Sequence, residues 1–324
     1  MKPKLLLCLA LVLSTMPTCC EAQFRFTTNN GAITITGYTG SGGAFVIPET
    51  IDHLPVISIG DYAFSRQISI TGVVIPDTVT NIGDEAFTYM DTHSRLTKLK
   101  LGRRVARIGR GAFSGCDQLT KITIPASVIG IGSRAFVFCT KLTEITIPAS
   151  VTNIGDGAFN ACFSLKSITV DAGNPAYCSV GGVLYDKNRT RLLQFPGGKE
   201  GGYIIPNGVT NIEHFALWNC PYLTSVTIPD GVTSIDDEEF AACGRLVTVI
   251  VPASVTNIGQ NAFNSCVSME GIYFRGNAPD YGEYWRGGRA KVLGGLDTGT
   301  VYYLRGTTGW ETNFGGRPTA PWNP

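Results

Sequence analysis

Leu119-Thr120-Lys121-Ile122-Thr123-Ile124-Pro125 returns 23 residues later as Leu142-Thr143-Glu144-Ile145-Thr146-Ile147-Pro148. It comes back as Leu223-Thr224-Ser225-Val226-Thr227-Ile228-Pro229 and Leu246-Val247-Thr248-Val249-Ile250-Val251-Pro252. Each copy is followed by Val-x-x-Ile and usually by Gly-x-x-Ala-Phe-x-x-Cys. A fixed period of this length marks a solenoid, in which each unit is one coil stacked on the last. The Ile-x-Ile alternation reads as a half-buried strand with Thr on its exposed face. Proline closes that strand at Pro48, Pro76, Pro125, Pro148, Pro206, Pro229 and Pro252, because it has no N–H to give to a ladder. A second extended piece, such as Val151-Thr152-Asn153-Ile154, makes another side of the coil. Gly155, like Gly60, Gly83, Gly109, Gly132 and Gly259, permits a tight turn. Ala158-Phe159 and their equivalents then read as one helical or 3-10 turn with Phe pointing inward.

A single unit carries about seven apolar side chains and has nothing of its own to bury them against. Each large one is worth roughly 1.5–3 kcal/mol when buried, so stacking supplies ~10–15 kcal/mol per rung against the entropy of ordering it. About ten rungs, ~4.8 Å apart, make a rod or gentle arc ~45–50 Å long.

The phenylalanine column runs Phe64, Phe87, Phe113, Phe136, Phe159, Leu217, Phe240 and Phe263. Its spacing breaks between Phe159 and Leu217, and the excess falls near residues 171–204. There Val183-Leu184-Tyr185, a polar turn and Leu192-Leu193-Gln194-Phe195 read as a hairpin spliced into one rung, either an elaborated rung or a functional projection. Asn188-Arg189-Thr190 at its tip has the form of a glycosylation sequon. Both ends of a stack need caps. Residues 23–46 supply a hairpin around Asn30-Gly31, a preferred two-residue turn. Residues 275–324 read as an irregular last rung and cap, with Val301-Tyr302-Tyr303-Leu304 as the final strand and Tyr281, Tyr284, Trp285, Trp310 and Trp322 as capping or sugar-stacking rings.

The unit L-T-x-I-x-I-P-x-x-V-T-x-I-G-x-x-A-F-x-x-C, repeated across residues 47–274, resembles the BspA-like bacterial leucine-rich repeats. So do the start Thr27–Thr36, the insert Asn174-Pro175 with Gly182-Val183-Leu184-Tyr185, and the tail Gly306–Trp310. The resemblance implies a mainly β leucine-rich-repeat solenoid in a secreted or surface-exposed binding protein, adhesins among them. The chain departs from the pattern where Leu101-Gly102 replaces Ile-Pro, and where Glu213 and Asp236 replace Gly. Those rungs are expected to turn differently.

The whole chain supports an exported binding protein. Of its 324 residues 44% are hydrophobic and 16% charged, so it has enough apolar content to fold. A net charge of +1 creates no global field for nucleic acid or anionic membrane. Residues 1–22 combine Lys2 and Lys4, an apolar run from Leu5 to Leu13, and Cys20-Glu21-Ala22. That order reads as a signal peptide cleaved after Ala22, with a lipid-anchored cysteine at Cys19 or Cys20 as the competing reading. No later apolar stretch is long enough to span a bilayer, so no stable membrane insertion is expected.

Cys116, Cys139, Cys162, Cys220, Cys243 and Cys266 each stand three residues after the ring column. They form an inward ladder, read as buried thiols, although adjacent rungs would bring their Cα atoms within disulfide range. Cys178 is out of register and more open to reaction. No Cys-x-x-Cys or His-x-x-x-His spacing suggests a metal, and no cofactor is implied. His53, His93 and His214 are scattered, and there is no nucleophile elbow or phosphate loop. Asp236-Asp237-Glu238-Glu239 reads as a solvated turn rather than a hydrolase pair, and the chain is read as not an enzyme.

One charge feature stands out. Arg95, Lys98, Lys100, Arg103, Arg104, Arg107 and Arg110 fall in sixteen residues without an acid. They are the candidate ligand-binding residues, a basic band for a sulfated glycan or another polyanion. Thr123, Thr146, Thr169 and Thr227 line a polar column beside it. The expected function is protein or glycan binding at a cell surface or matrix, by a monomer or weakly associating chain. The alternative is a structural envelope component that self-associates through charged ends, with residues 230–239 as the acidic partner.

Overall fold

The computed structural model describes residues 23–89, 93–281 and 299–323. The leader read in the sequence, with Cys19 and Cys20, lies outside the described residues, as do Tyr284 and Trp285. The chain winds into a β-solenoid of about ten turns, the architecture its repeat implies.

Each turn has three sides. On the first, the Ile-x-Ile segments form parallel ladders: Glu144–Ile147 pairs with Ser167–Val170, and Gly201–Ile204, Leu223–Thr227, Thr248–Val251 and Gly271–Phe274 follow one another in a single sheet. On the second, Asn81–Ile82, Arg107–Ile108, Gly130–Ile131 and Asn153–Ile154 pair in register. The period-two alternation turns the Ile of each piece inward and leaves its neighbour outside.

The third side corrects the sequence reading. No helical turn forms at Ala-Phe. The N–H groups of Tyr62, Phe64 and Arg66 donate to the carbonyls of Asp84, Ala86 and Thr88 on the next turn, while Ala63, Ser65 and Gln67 bond back to Gly60, Tyr62 and Phe64. Left-handed φ at Tyr62 (59°) and Arg66 (60°), repeated at Arg134 (56°) and Phe138 (60°), aims alternate N–H groups across the stack. A helix would use its N–H groups within itself and leave none for the next rung.

Inside, Phe64, Phe87, Phe113, Phe136 and Phe159 stack with ring centroids 4.7, 5.4, 5.4 and 5.7 Å apart. Phe195 continues the column: its N–H donates to the Ala216 carbonyl as Phe64 does to Ala86. The cysteine ladder is buried beside it, and every Sγ but that of Cys220 donates to a ring-column carbonyl of the preceding turn. Cys139 reaches Phe113 O at 3.3 Å, Cys162 reaches Phe136 O at 3.2 Å, and Cys266 reaches Phe240 O at 3.0 Å. Burial pushes the thiols of Cys116, Cys139 and Cys266 upward, away from reactive thiolate.

Glu239 corrects a second reading. It is fully buried rather than solvated, because it occupies the Ala slot of the Ala-Phe pair, directly before Phe240. Its Oε1 accepts the Leu217 N–H at 3.1 Å, a bond that a main-chain carbonyl takes elsewhere in the column, and its Oε2 has no partner among the described residues.

The insert is a three-stranded meander. Tyr177–Val180 and Val183–Asp186 pair antiparallel, then Val183–Asp186 and Arg191–Gln194, and Arg191–Gln194 joins Asn211–Ile212 as an ordinary second-side strand. Val183, Leu184 and Tyr185 are all buried. Leu184 packs into the core of the preceding turns, while Val183 and Tyr185 pack into the core of the following ones. The strand is thus the seam between two runs of repeat, and the Tyr185 hydroxyl bonds the Tyr203 hydroxyl across it. Asn174 locks the entry to the insert. Its Nδ2 donates to Pro148 O (2.8 Å) and Val151 O (2.9 Å), and its Oδ1 accepts from Ala176 N (2.9 Å) and Tyr177 N (2.8 Å). Asn174→Ala orphans these buried main-chain groups and is expected to lower the urea unfolding free energy by about 1–3 kcal/mol. A change under about 0.5 kcal/mol would show that they find other partners.

Phe24–Asn29 and Ala32–Tyr38 form an antiparallel hairpin at the first end, turning at Asn30 (φ 48°) and Gly31 (φ 74°). Tyr38 and Phe45 stack at 4.7 Å and cover Phe64. At the other end Thr300–Leu304 is not the last strand, because Arg317–Trp322 pairs parallel beyond it. Pro318 and Pro321 hid this piece in the sequence, yet a strand tolerates proline at positions where its ladder requires no N–H. Phe314 and Trp310 close the core against Phe274, at 5.6 and 5.0 Å.

Candidate binding surface

The seven basic residues do not form one flat band. They girdle a single turn. Lys98 and Lys100 project outward from Lys98–Lys100 on the first side, just after the exposed Arg95. Arg103 and Arg104 occupy the corner, Arg107 lies on the second side, and Arg110 reaches the turn side. Two of them are neutralised by the preceding turn. Arg103 places Nε and Nη2 each 2.7 Å from Asp77 Oδ2, and its main-chain N–H is 2.7 Å from Oδ1. That main-chain bond, with the guanidinium, holds the Asp77 carboxyl below its ordinary range. Arg110 pairs with Glu85 at 3.3 Å and Asp84 at 3.7 Å. The repeat explains both contacts, since an Asp at the end of one rung's segment also caps an N–H of the next.

Lys98 and Lys100 are different: among the described residues neither has a carboxylate within ion-pair distance, although Lys100 adds to the field that lowers Asp77. Lys121, one rung on and outside the basic run in sequence, comes to the same face. Its register is legible from the repeat, in which Lys121 aligns with Lys98, but a count of consecutive charges misses it. Lys121 has one acidic neighbour, Glu144, at 3.3 Å in an exposed pair of little energetic consequence. Among the described residues no ladder pairing joins Lys98–Lys100 to the segment 120–124, although the first-side ladder resumes at Glu144–Ile147. The interruption falls at the rung where Leu101-Gly102 departs from Ile-Pro, and aligned lysines repel across such a pairing. A groove of about 630 Å³ opens there, floored by Gly72, Val73, Leu99 and Ile122 and rimmed by Lys98, Lys100 and Lys121. Thr123, Thr146 and Thr169 extend the exposed polar column from it.

The acidic run 230–239 lies on a different turn, and neither it nor the girdle stands at an end of the stack. Among the described residues no group of three or more His, Cys, Asp or Glu could hold a metal ion, and no helix is long and apolar enough to cross a membrane.

Parallel ladders on two sides, an inward ring column and an open, sparsely charged outer sheet define a leucine-rich-repeat solenoid. The chain belongs to the family described as BspA type leucine rich repeat region, whose model matches residues 57–176 and 202–285 in 6 copies. No relative with a curated description matches it. Among solved structures, the pneumococcal vaccine antigen PcpA is 22% identical, with 86% of this chain and 79% of that one covered at a TM-score of 0.66. A leucine-rich repeat protein from Eubacterium ventriosum is 27% identical, with 86% and 75% covered, also at 0.66.

Proposed function

We propose that this chain is an exported, non-enzymatic binding protein that attaches to a protein or glycan partner on a cell surface or matrix. The observation that carries the reading is the convergence of Lys98, Lys100 and Lys121 on an open groove of the first side. Negative charge on the partner meets these ammonium groups, while apolar contact is made with the groove floor. The leader-like residues 1–22 favour an extracellular location. The remaining girdle residues Arg95, Arg104 and Arg107 widen the approach field without sharing the groove.

Retention of the protein on immobilised heparin and on polyglutamate tests this reading. Binding is expected at low salt to at least one of them, weakening as ionic strength shortens the reach of exposed charges to about 8 Å at 0.15 M. The variant Lys98→Gln, Lys100→Gln, Lys121→Gln is expected to lose it at least tenfold. Equal retention of the variant would place the binding elsewhere.

A further inference from the structure

The exported reading has a chemical consequence at the first end of the solenoid. Cleavage after Ala22 makes Gln23 the first residue of the mature chain. A free α-amine and a side-chain carboxamide then belong to one residue. Attack of that nitrogen on Cδ closes a five-membered lactam, a ring closure favoured because both groups sit on the same residue. The new bond is N–Cδ and the Cδ–Nε2 bond breaks. One proton of the amine goes to the departing nitrogen, which leaves as ammonia. Nothing is oxidised or reduced, and no co-reactant is consumed.

The fold presents Gln23 for this step. Ladder pairing of the opening hairpin begins one residue later, with Phe24 opposite Tyr38. The Gln23 carbonyl accepts the Thr39 N–H at 2.8 Å, and the lactam leaves that carbonyl in place. The side chain is half-buried, and its Oε1 accepts the Tyr38 hydroxyl at 3.2 Å. It lies in a notch at Gly40 that any side chain there would fill. Tyr38 is held in turn, its ring stacked on Phe45 at 4.7 Å. A hydroxyl on Oε1 draws electron density from Cδ and meets the negative charge that grows on this oxygen as the amine attacks. The same donor then serves the lactam carbonyl.

The product protects the cap. Phe24, second in the mature chain, joins Tyr38 and Phe45 in covering Phe64, at 6.3, 5.6 and 5.9 Å. An exopeptidase that removed residues 23 and 24 would uncover the end of the ring column. A lactam offers such an enzyme no free amine to hold.

We infer that Gln23 is a modification site, where the mature chain begins with a pyroglutamate closed by its own amine under the Tyr38 hydroxyl. The inference rests on the exported reading, and one experiment separates the two.

The full-length chain is exported from a host that lacks glutaminyl cyclase, and its N-terminal peptide is sequenced by tandem mass spectrometry during incubation at about pH 8, where much of an α-amine is uncharged. The expected peptide starts at residue 23 and becomes lighter by one ammonia, and pyroglutamyl peptidase then removes its first residue. Tyr38→Phe keeps the stacked ring and loses the donor, so its ammonia loss is expected to be at least threefold slower, with melting curves confirming an intact cap. A peptide that keeps a free Gln23 amine overturns the inference and leaves the exported reading standing. A chain that starts at Met1, Cys19 or Cys20 overturns cleavage after Ala22 and the inference with it. Equal rates in the parent and a folded Tyr38→Phe overturn the assignment of the closing step to Tyr38.

Discussion

Phe136→Ala is expected to lower the unfolding free energy by about 3–5 kcal/mol, the usual cost of emptying a buried aromatic site. Phe136 is fully buried in mid-column, stacked 5.4 Å from Phe113 and 5.7 Å from Phe159. Its removal opens a void that neighbouring turns cannot close, because the turn-side ladder on either side holds their separation. Urea unfolding followed by circular dichroism measures the loss. Tryptophan fluorescence adds a regional probe, since Trp218, Trp285, Trp310 and Trp322 all follow the insert in sequence. Both signals should shift together, because Leu184 and its neighbours Val183 and Tyr185 tie the two cores through one strand. A fluorescence transition left unmoved would mean that the seam does not couple the runs.

Replacing Glu239 should have an effect of opposite sign, raising stability at neutral pH. Burial raises its carboxyl well above the ordinary range, with Asp236, Cys243 and Glu213 adding repulsion and the Leu217 N–H opposing them. Cys220 also packs beside it. In the unfolded chain the carboxyl ionises near pH 4.3, so folding above that pH must take up a proton. The contribution of this site is full below about pH 4.3 and is lost, at about 1.4 kcal/mol per pH unit, as pH rises towards the raised value of the folded group. Glu239→Gln keeps an acceptor for Leu217 and removes the proton. It is expected to flatten the decline of stability between pH 5 and pH 7.5, and to unfold at higher urea than the parent at pH 7.5. Glu239→Ala restores the residue that most other turns carry and should do the same. An unchanged pH profile in both variants would mean that Glu239 is solvated after all.

The repeat made most of the fold legible. Strict period-two alternation and the closing prolines placed the first-side strands, and the ring spacing located the insert. Three features escaped because their causes lie between turns. The turn ladder depends on left-handed residues such as Tyr62 and Arg134, whose identity gives no hint of positive φ. Phe195 was hidden by the insert, which places it 36 residues after Phe159, far outside the spacing of about 23 at which the other rings follow one another. Glu239 looked like surface because its neighbours 236–238 are exposed, and only alignment of its column with Ala63, Ala86 and Ala135 reveals an interior slot.

The candidate binding surface was legible in part for a related reason. A run of charges along the chain becomes a ring around the coil, so residues adjacent in sequence face different sides. Arg103 and Arg110 are drawn to Asp77 and Glu85 one turn back. The residues that converge are those a full period apart, which is why Lys121 joins Lys98 and Arg107 does not.

Hydrogen-exchange mapping with and without bound heparin tests the central claim most directly, because it reports where on the coil the partner sits. The account predicts slowed exchange over residues 97–100 and 120–123, on the outer sheet, with the interior column unchanged. Protection confined to residues 230–239 or to the end caps, with the lysine groove unaffected, would contradict it.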